Sequence, residues 1–149
     1  NLELATVTML KGAGDAEDCG NLIKNVWYNA IYKEKDDETD KYTRPDGYFV
    51  SDFNDALGNL FVDSSFSSKI DSIDKNQDTV NSLMKKLKNP PEECKDAYDA
   101  LSDFYDAYLA LTGCATDPSG SLQTYSSTFN DADTDTLNAY KAMQQYLGD

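Results

Sequence analysis

Side chains recur at Phe66, Ile70, Ile73, Gln77, Val80, Met84 and Leu87 in alternating steps of four and three, and the run closes on Asn89-Pro90-Pro91. That spacing places all of them on one stripe of an α-helix, and a stripe so narrow is buried by other helices, not by a sheet. The polar member, Gln77, is read as fixing the register of the seam.

The same period organises the rest of the chain. A first helix is expected from about Glu3 to Lys33, with its clearest stripe at Cys19, Leu22, Ile23, Val26, Trp27, Ala30 and Ile31. Gly12, Gly14 and Gly20 each weaken it by up to about 1 kcal/mol relative to Ala, which predicts a kink near Gly14 with Asp15 as a fresh N-cap. Lys35 to Tyr48 reads as an irregular acidic loop ending in a turn at Arg44-Pro45-Asp46-Gly47. Ser51 is expected to cap a short helix carrying Phe53, Leu57, Leu60 and Phe61, and the serines at 64, 65, 67 and 68 to interrupt it. The heptad helix then runs to Lys88, with Lys85, Lys86 and Lys88 at the negative end of its dipole. Pro90 stops it and Pro91 opens the next helix, which turns Cys94, Ala97, Tyr98, Leu101, Phe104, Tyr105, Tyr108 and Leu111 inward and ends at Gly113. After a turn at Asp117-Pro118-Ser119-Gly120, a last helix carries Leu122, Tyr125, Phe129, Ala132, Thr136, Tyr140, Met143 and Leu147, with a bend expected between Asn130 and Asp135. The reading is a single all-α domain over residues 1–149: an up-and-down four-helix bundle with an extra short helix and a long loop in its first crossover.

Composition excludes more than it assigns. Twenty-seven acidic against thirteen basic residues give a formal charge of −14, and Arg44 is the only arginine. A field of that sign repels nucleic acid and anionic membranes, so neither is expected as a partner. With no run of about eighteen apolar residues, direct membrane insertion by this segment is not expected. The start at Asn1 instead of Met suggests a trimmed or processed segment, either of which could have lost a targeting sequence.

Candidate chemistry is sparse. Histidine is absent, so Ser or Cys nucleophiles lack their commonest base. Asp74 to Leu83, and again Asp131-Asp133-Asp135, place oxygen ligands at alternate positions like a calcium loop. The sixth and twelfth residues are Thr79 and Lys85 in one case and Thr136 and Ala142 in the other, where such a loop needs Gly and an acid. No metal or other cofactor is expected. Cys19, Cys94 and Cys114 have no metal-ligand spacing. Cys19 and Cys94 read as small buried hydrophobes, with a bridge between them as the second choice. Paired carboxylates could in principle serve a hydrolase, but many acids at no particular spacing are not a signal.

The surplus is aromatic: ten Tyr, six Phe and one Trp. In Trp27-Tyr28 and Phe104-Tyr105 the second ring lies about 100° off the buried stripe and reaches the core edge or the surface. Tyrosine joins apolar area to a polar tip, which suits recognition. Tyr28, Tyr32 and Tyr105 on helices, and Tyr42, Arg44 and Tyr48 with Phe49 in the acidic loop, are therefore the candidate binding residues.

The segments Val26-Trp27-Tyr28-Asn29-Ala30-Ile31-Tyr32, Leu83 to Glu93 and Asp117 to Leu122 together resemble the helical domains of uncharacterised secreted lipoproteins of Gram-positive gut bacteria. The resemblance implies an exported domain at the bacterial cell surface, tethered by lipid outside this segment, with no assigned site. In that setting Cys19 and Cys94 could be introduced thiols. The expected role is a non-catalytic interaction domain binding a protein or glycan, a host immunoglobulin being one conceivable ligand. A structural spacer or self-assembly domain is the alternative, and a carboxylate-dependent hydrolase the third reading.

Overall fold

The computed structural model describes residues 1–147. Four long helices carry the fold: α1 (Leu2–Tyr32), α4 (Ser64–Lys86), α5 (Lys95–Thr116) and α6 (Leu122–Gln144), with α2 (Asp40–Thr43) and α3 (Phe53–Val62) in the first crossover. The long helices alternate in direction and form the all-α bundle the periodicity predicts. The cross-section is not square. α1 packs against α4, α5 and α6, whereas no Cα of α4 comes within 8 Å of one in α6. α1 and α5 thus form the shared inner pair, with α4 and α6 on either side.

α1 is suited to that position because its inner face is small. Ala5, Met9, Gly12, Ala13, Ala16, Cys19, Gly20 and Ile23 are all buried on it. The expected kink is absent: α1 is continuous from its Asn1 N-cap to Lys33, whose left-handed backbone (φ 54°) sends its N–H to the Asn29 carbonyl. Two of the glycines are contact points. A Cβ on Gly12 would lie 2.0 Å from Asn76 Oδ1, and one on Gly20 would lie 2.1 Å from the Phe129 ring. The propensity cost at each is offset by helix approach that no other residue permits. Ile31, placed on the inner stripe by period alone, is exposed.

Other boundaries also differ from expectation. Asp52, not Ser51, caps α3, its side chain accepting from the Asn54 N–H. Asp63 ends α3 and caps α4 through the Phe66 N–H, so the four serines start α4 instead of interrupting it. One residue in extended conformation suffices for the corner. α5 passes through Gly113 to Thr116, because Leu111, Thr112, Cys114 and Ala115 are buried and outweigh one glycine. It starts after a short 3₁₀ turn (Glu92–Cys94), which leaves Cys94 half-buried instead of inward. α6 is continuous, starting at a Ser121–Thr124 capping box and showing no bend at residues 130–135.

The core is one cluster, with Phe66, Ile73, Val80 and Met84 of the heptad buried and Ile70 and Leu87 packed at its edge. Trp27 lies between Phe53 (5.6 Å) and Tyr125 (5.5 Å) near the crossover end. All three cysteines are free. Cys94 lines a cleft with Leu2 at the opposite end of α1 from Trp27. Cys19 is seventeen residues along α1 from Leu2, about 25 Å at helical rise, so a Cys19–Cys94 bridge is out of reach. Burial pushes the Cys19 thiol up to about 11 and raises the Cys114 thiol as well.

The same substitution should have opposite signs at two glycines of α1. Gly14 is exposed with nothing within 4 Å of its Cβ position, so Gly14→Ala should stabilise the protein by up to about 1 kcal/mol. Gly20→Ala should destabilise it by about 1–3 kcal/mol through the clash with Phe129. Urea unfolding of the two variants beside the parent checks both.

Candidate functional site

The last turns of α1 carry the most exposed aromatic pair. Tyr28 and Tyr32 are one helical turn apart, so their rings meet, with centroids 4.5 Å apart, and they are 48% and 60% exposed. Ile31, 41% exposed, adds apolar surface beside them. The buried Asn29 holds the following loop against the helix end, its Nδ2 donating to Thr39 Oγ1 at 3.0 Å.

That loop is less irregular than its composition suggests. The Asp36 carboxylate accepts from the Glu38 N–H, and the Asp40 carboxylate accepts from the Asp36 N–H, which organises the acids into a start for α2. The turn at Arg44 to Gly47 is closed by the Gly47 N–H to the Arg44 carbonyl (3.1 Å), with Gly47 at φ +90°. The Val50 N–H then donates to the Thr43 carbonyl and brings the chain back to the bundle.

These contacts divide the expected recognition residues. Tyr48 projects from the loop, 70% exposed. Lys33 approaches the Phe49 ring (6.0 Å), so Tyr48 lies at the same end of the bundle as Tyr32. Tyr42 does not belong to this surface: it is 5% exposed, in the core, and its carbonyl accepts from Asn59 Nδ2. Arg44 is spent internally. Its Nη2 donates to the Gly47 carbonyl at 2.5 Å, its guanidinium lies 5.3 Å from the Phe49 centroid, and Asp40 is 3.9 Å away. Tyr105 lies apart, on α5, where its hydroxyl donates to Asn81 Oδ1.

A feature not anticipated from the sequence is a carboxyl pair between α1 and α6. Glu17 and Asp133 line a groove of about 290 Å³ with Leu10, Leu111, Leu137 and Tyr140. A hydrogen bond between the two carboxyls is the main reason the Glu17 pKa rises to about 7, followed by burial and the charges of Asp133 and Asp18. Finding the pair in advance requires the rotation of α6 about its axis, which the buried stripe defines only to within a residue. The arrangement favours holding a proton on Glu17.

The aspartates with calcium-loop spacing lie on helices, Asp74 and Asp78 on α4 and Asp131, Asp133 and Asp135 on α6. Among the described residues no three His, Cys, Asp or Glu side chains gather as a metal would require. No helix there is long and apolar enough to cross a membrane. No protein-family model, curated protein or solved structure matches the chain.

The carboxyl pair has a signed consequence for stability. Between the ordinary value of 4.5 and about 7, folded Glu17 keeps a proton that the unfolded chain has lost. Its contribution therefore falls as pH rises through that window and is least favourable above it. Glu17→Gln should be more stable than the parent at pH 8, by about 0.5–1 kcal/mol after allowance for solvent screening. The advantage should fade towards pH 4.5, as thermal melts across that range will show.

Proposed function

We propose that this chain is a non-catalytic interaction domain that binds a protein or glycan through the aromatic surface at the crossover end of the bundle. The observation supporting this reading is the Tyr28–Tyr32 pair, two rings in contact and 48% and 60% exposed on a rigid helix. Rings already fixed against each other lose little further freedom when a partner covers them, and tyrosine is enriched among residues that dominate binding energy. Ile31 and Tyr48 extend the surface, and the folded acidic loop frames it. The charge of −14 argues against nucleic acid as the partner. The proposed setting, outside a bacterial cell on a lipid tether beyond these 149 residues, rests on the sequence resemblance to secreted lipoproteins.

Self-assembly as a structural spacer is a second reading, favoured by Leu4, Val7 and Leu10 on α1 and Leu137 on α6, all exposed away from the tyrosines. One experiment separates the two. Immobilised protein is challenged with serum and mucosal proteins, bacterial envelope extracts and a glycan array, beside a Tyr28→Ser/Tyr32→Ser variant shown to be folded by circular dichroism. The binding reading expects a partner whose affinity drops at least about 30-fold in the variant, equivalent to one hot-spot residue. Equal capture by both proteins contradicts the assigned face. No partner, together with concentration-dependent sedimentation, supports the spacer.

A further inference from the structure

α4 and α5 follow one another in the chain, yet they pack more loosely than any other adjacent pair of long helices. Between them lies a groove of about 480 Å³. One wall is made by Asn81 and Lys85 of α4 with Lys88 just past the helix end, and the α5 wall is the stripe Tyr98, Ser102 and Tyr105. Helical spacing aligns Asn81 with Lys85 on α4, and Tyr98, Ser102 and Tyr105 on α5, along the groove. The buried Met84 forms the floor.

We propose that this groove is a binding site for a short acidic saccharide, a carboxylate-bearing sugar of one or two units. It is distinct from the aromatic surface at the crossover end and does not depend on that reading. Three observations support it.

The first is charge. Lys85 in the last turn of α4 and Lys88 just past it both line the groove, and among the described residues neither has a carboxylate within 4 Å. Asp106 is the one acid lining the groove among the described residues. Placement at a helix C-terminus explains lysines here; it does not explain their alignment with a wall of hydroxyls. The net charge of the chain does not cancel the pair, since charges farther than about 8 Å are screened at physiological salt.

The second is the polar lining. The phenol of Tyr98, the Ser102 hydroxyl and the Asn81 amide offer both donors and acceptors, as a polyol requires. Rings and thioether between them suit the C–H face of a pyranose. The third is shape. The Tyr105 hydroxyl, donating to Asn81, bridges the two walls at one end. A volume of this size takes a small ligand, and helical backbone walls offer no free edge to an extended peptide.

The test is a ¹⁵N NMR titration of the whole chain with digalacturonate, with neutral galactobiose and oligoglutamate as separate arms. Digalacturonate should shift amides of residues 81–88 and 98–106 with a Kd of about 1 mM or tighter. Lys85→Gln/Lys88→Gln should weaken it at least tenfold, while Tyr28→Ser/Tyr32→Ser leaves it unchanged. Equal binding of galactobiose would remove the role of the lysines, and equal binding of oligoglutamate would reduce the site to unspecific charge. Retention of affinity in the double-lysine variant, or absence of shifts along this groove, would overturn the proposal.

Discussion

Asn76 of α4 reaches the bundle axis where Gly12 of α1 has no side chain, and the packing of three helices depends on what it does there. Its Nδ2 donates to the Thr8 carbonyl at 3.0 Å, and its Oδ1 accepts the Tyr108 hydroxyl from α5. A carbonyl has two lone pairs, so Thr8 can receive this bond in addition to its helical one. One turn of α5 further on, Gln77 Nε2 donates to Thr112 Oγ1 at 2.8 Å, and that hydroxyl in turn bonds to the Tyr108 carbonyl. The result is a polar layer joining α1, α4 and α5 at one height. Its groups are satisfied in this register, and sliding any helix by a residue would strand some of them away from water.

The rest of the architecture follows from that layer and from the small inner face of α1. With α1 drawn close to both α4 and α5, the bundle flattens and α6 covers the remaining side of the α1–α5 pair. Flattening leaves three surfaces partly open: the outer face of α1 with Tyr28 and Tyr32, the α1–α6 groove with Glu17 and Asp133, and the α4–α5 groove with its lysines. The polar layer at Asn76 that fixes the frame lies apart from these surfaces. That separation suits a domain whose interactions lie on a rigid scaffold.

The fold was legible where burial follows period. The heptad of α4 and the Tyr108 and Phe129 stripes needed no knowledge of partners. The glycines of α1 were misread because propensity is local, while their role is set by Asn76 and Phe129 on other helices. For the same reason Gly113 looked like a helix end and Ile31 like core. Among candidate binding residues, Tyr28 and Tyr32 were readable as rings just off a buried stripe. Tyr42 and Arg44 were not, because α2 folds onto α3 through aperiodic contacts, such as Asn59 to the Tyr42 carbonyl, that no sequence pattern announces. Lys85 and Lys88 read only as a helix terminus until α5 supplied the opposite wall.

The most direct test of this account is a double-mutant cycle between Asn76→Ala and Tyr108→Phe, measured by urea unfolding. If the crossing at Gly12 orders the bundle, the two changes should be coupled by about 1–2 kcal/mol, because either one alone already breaks the shared bond. Additivity within about 0.3–0.5 kcal/mol would show that the residues act independently, and the register would then have to come from apolar packing alone.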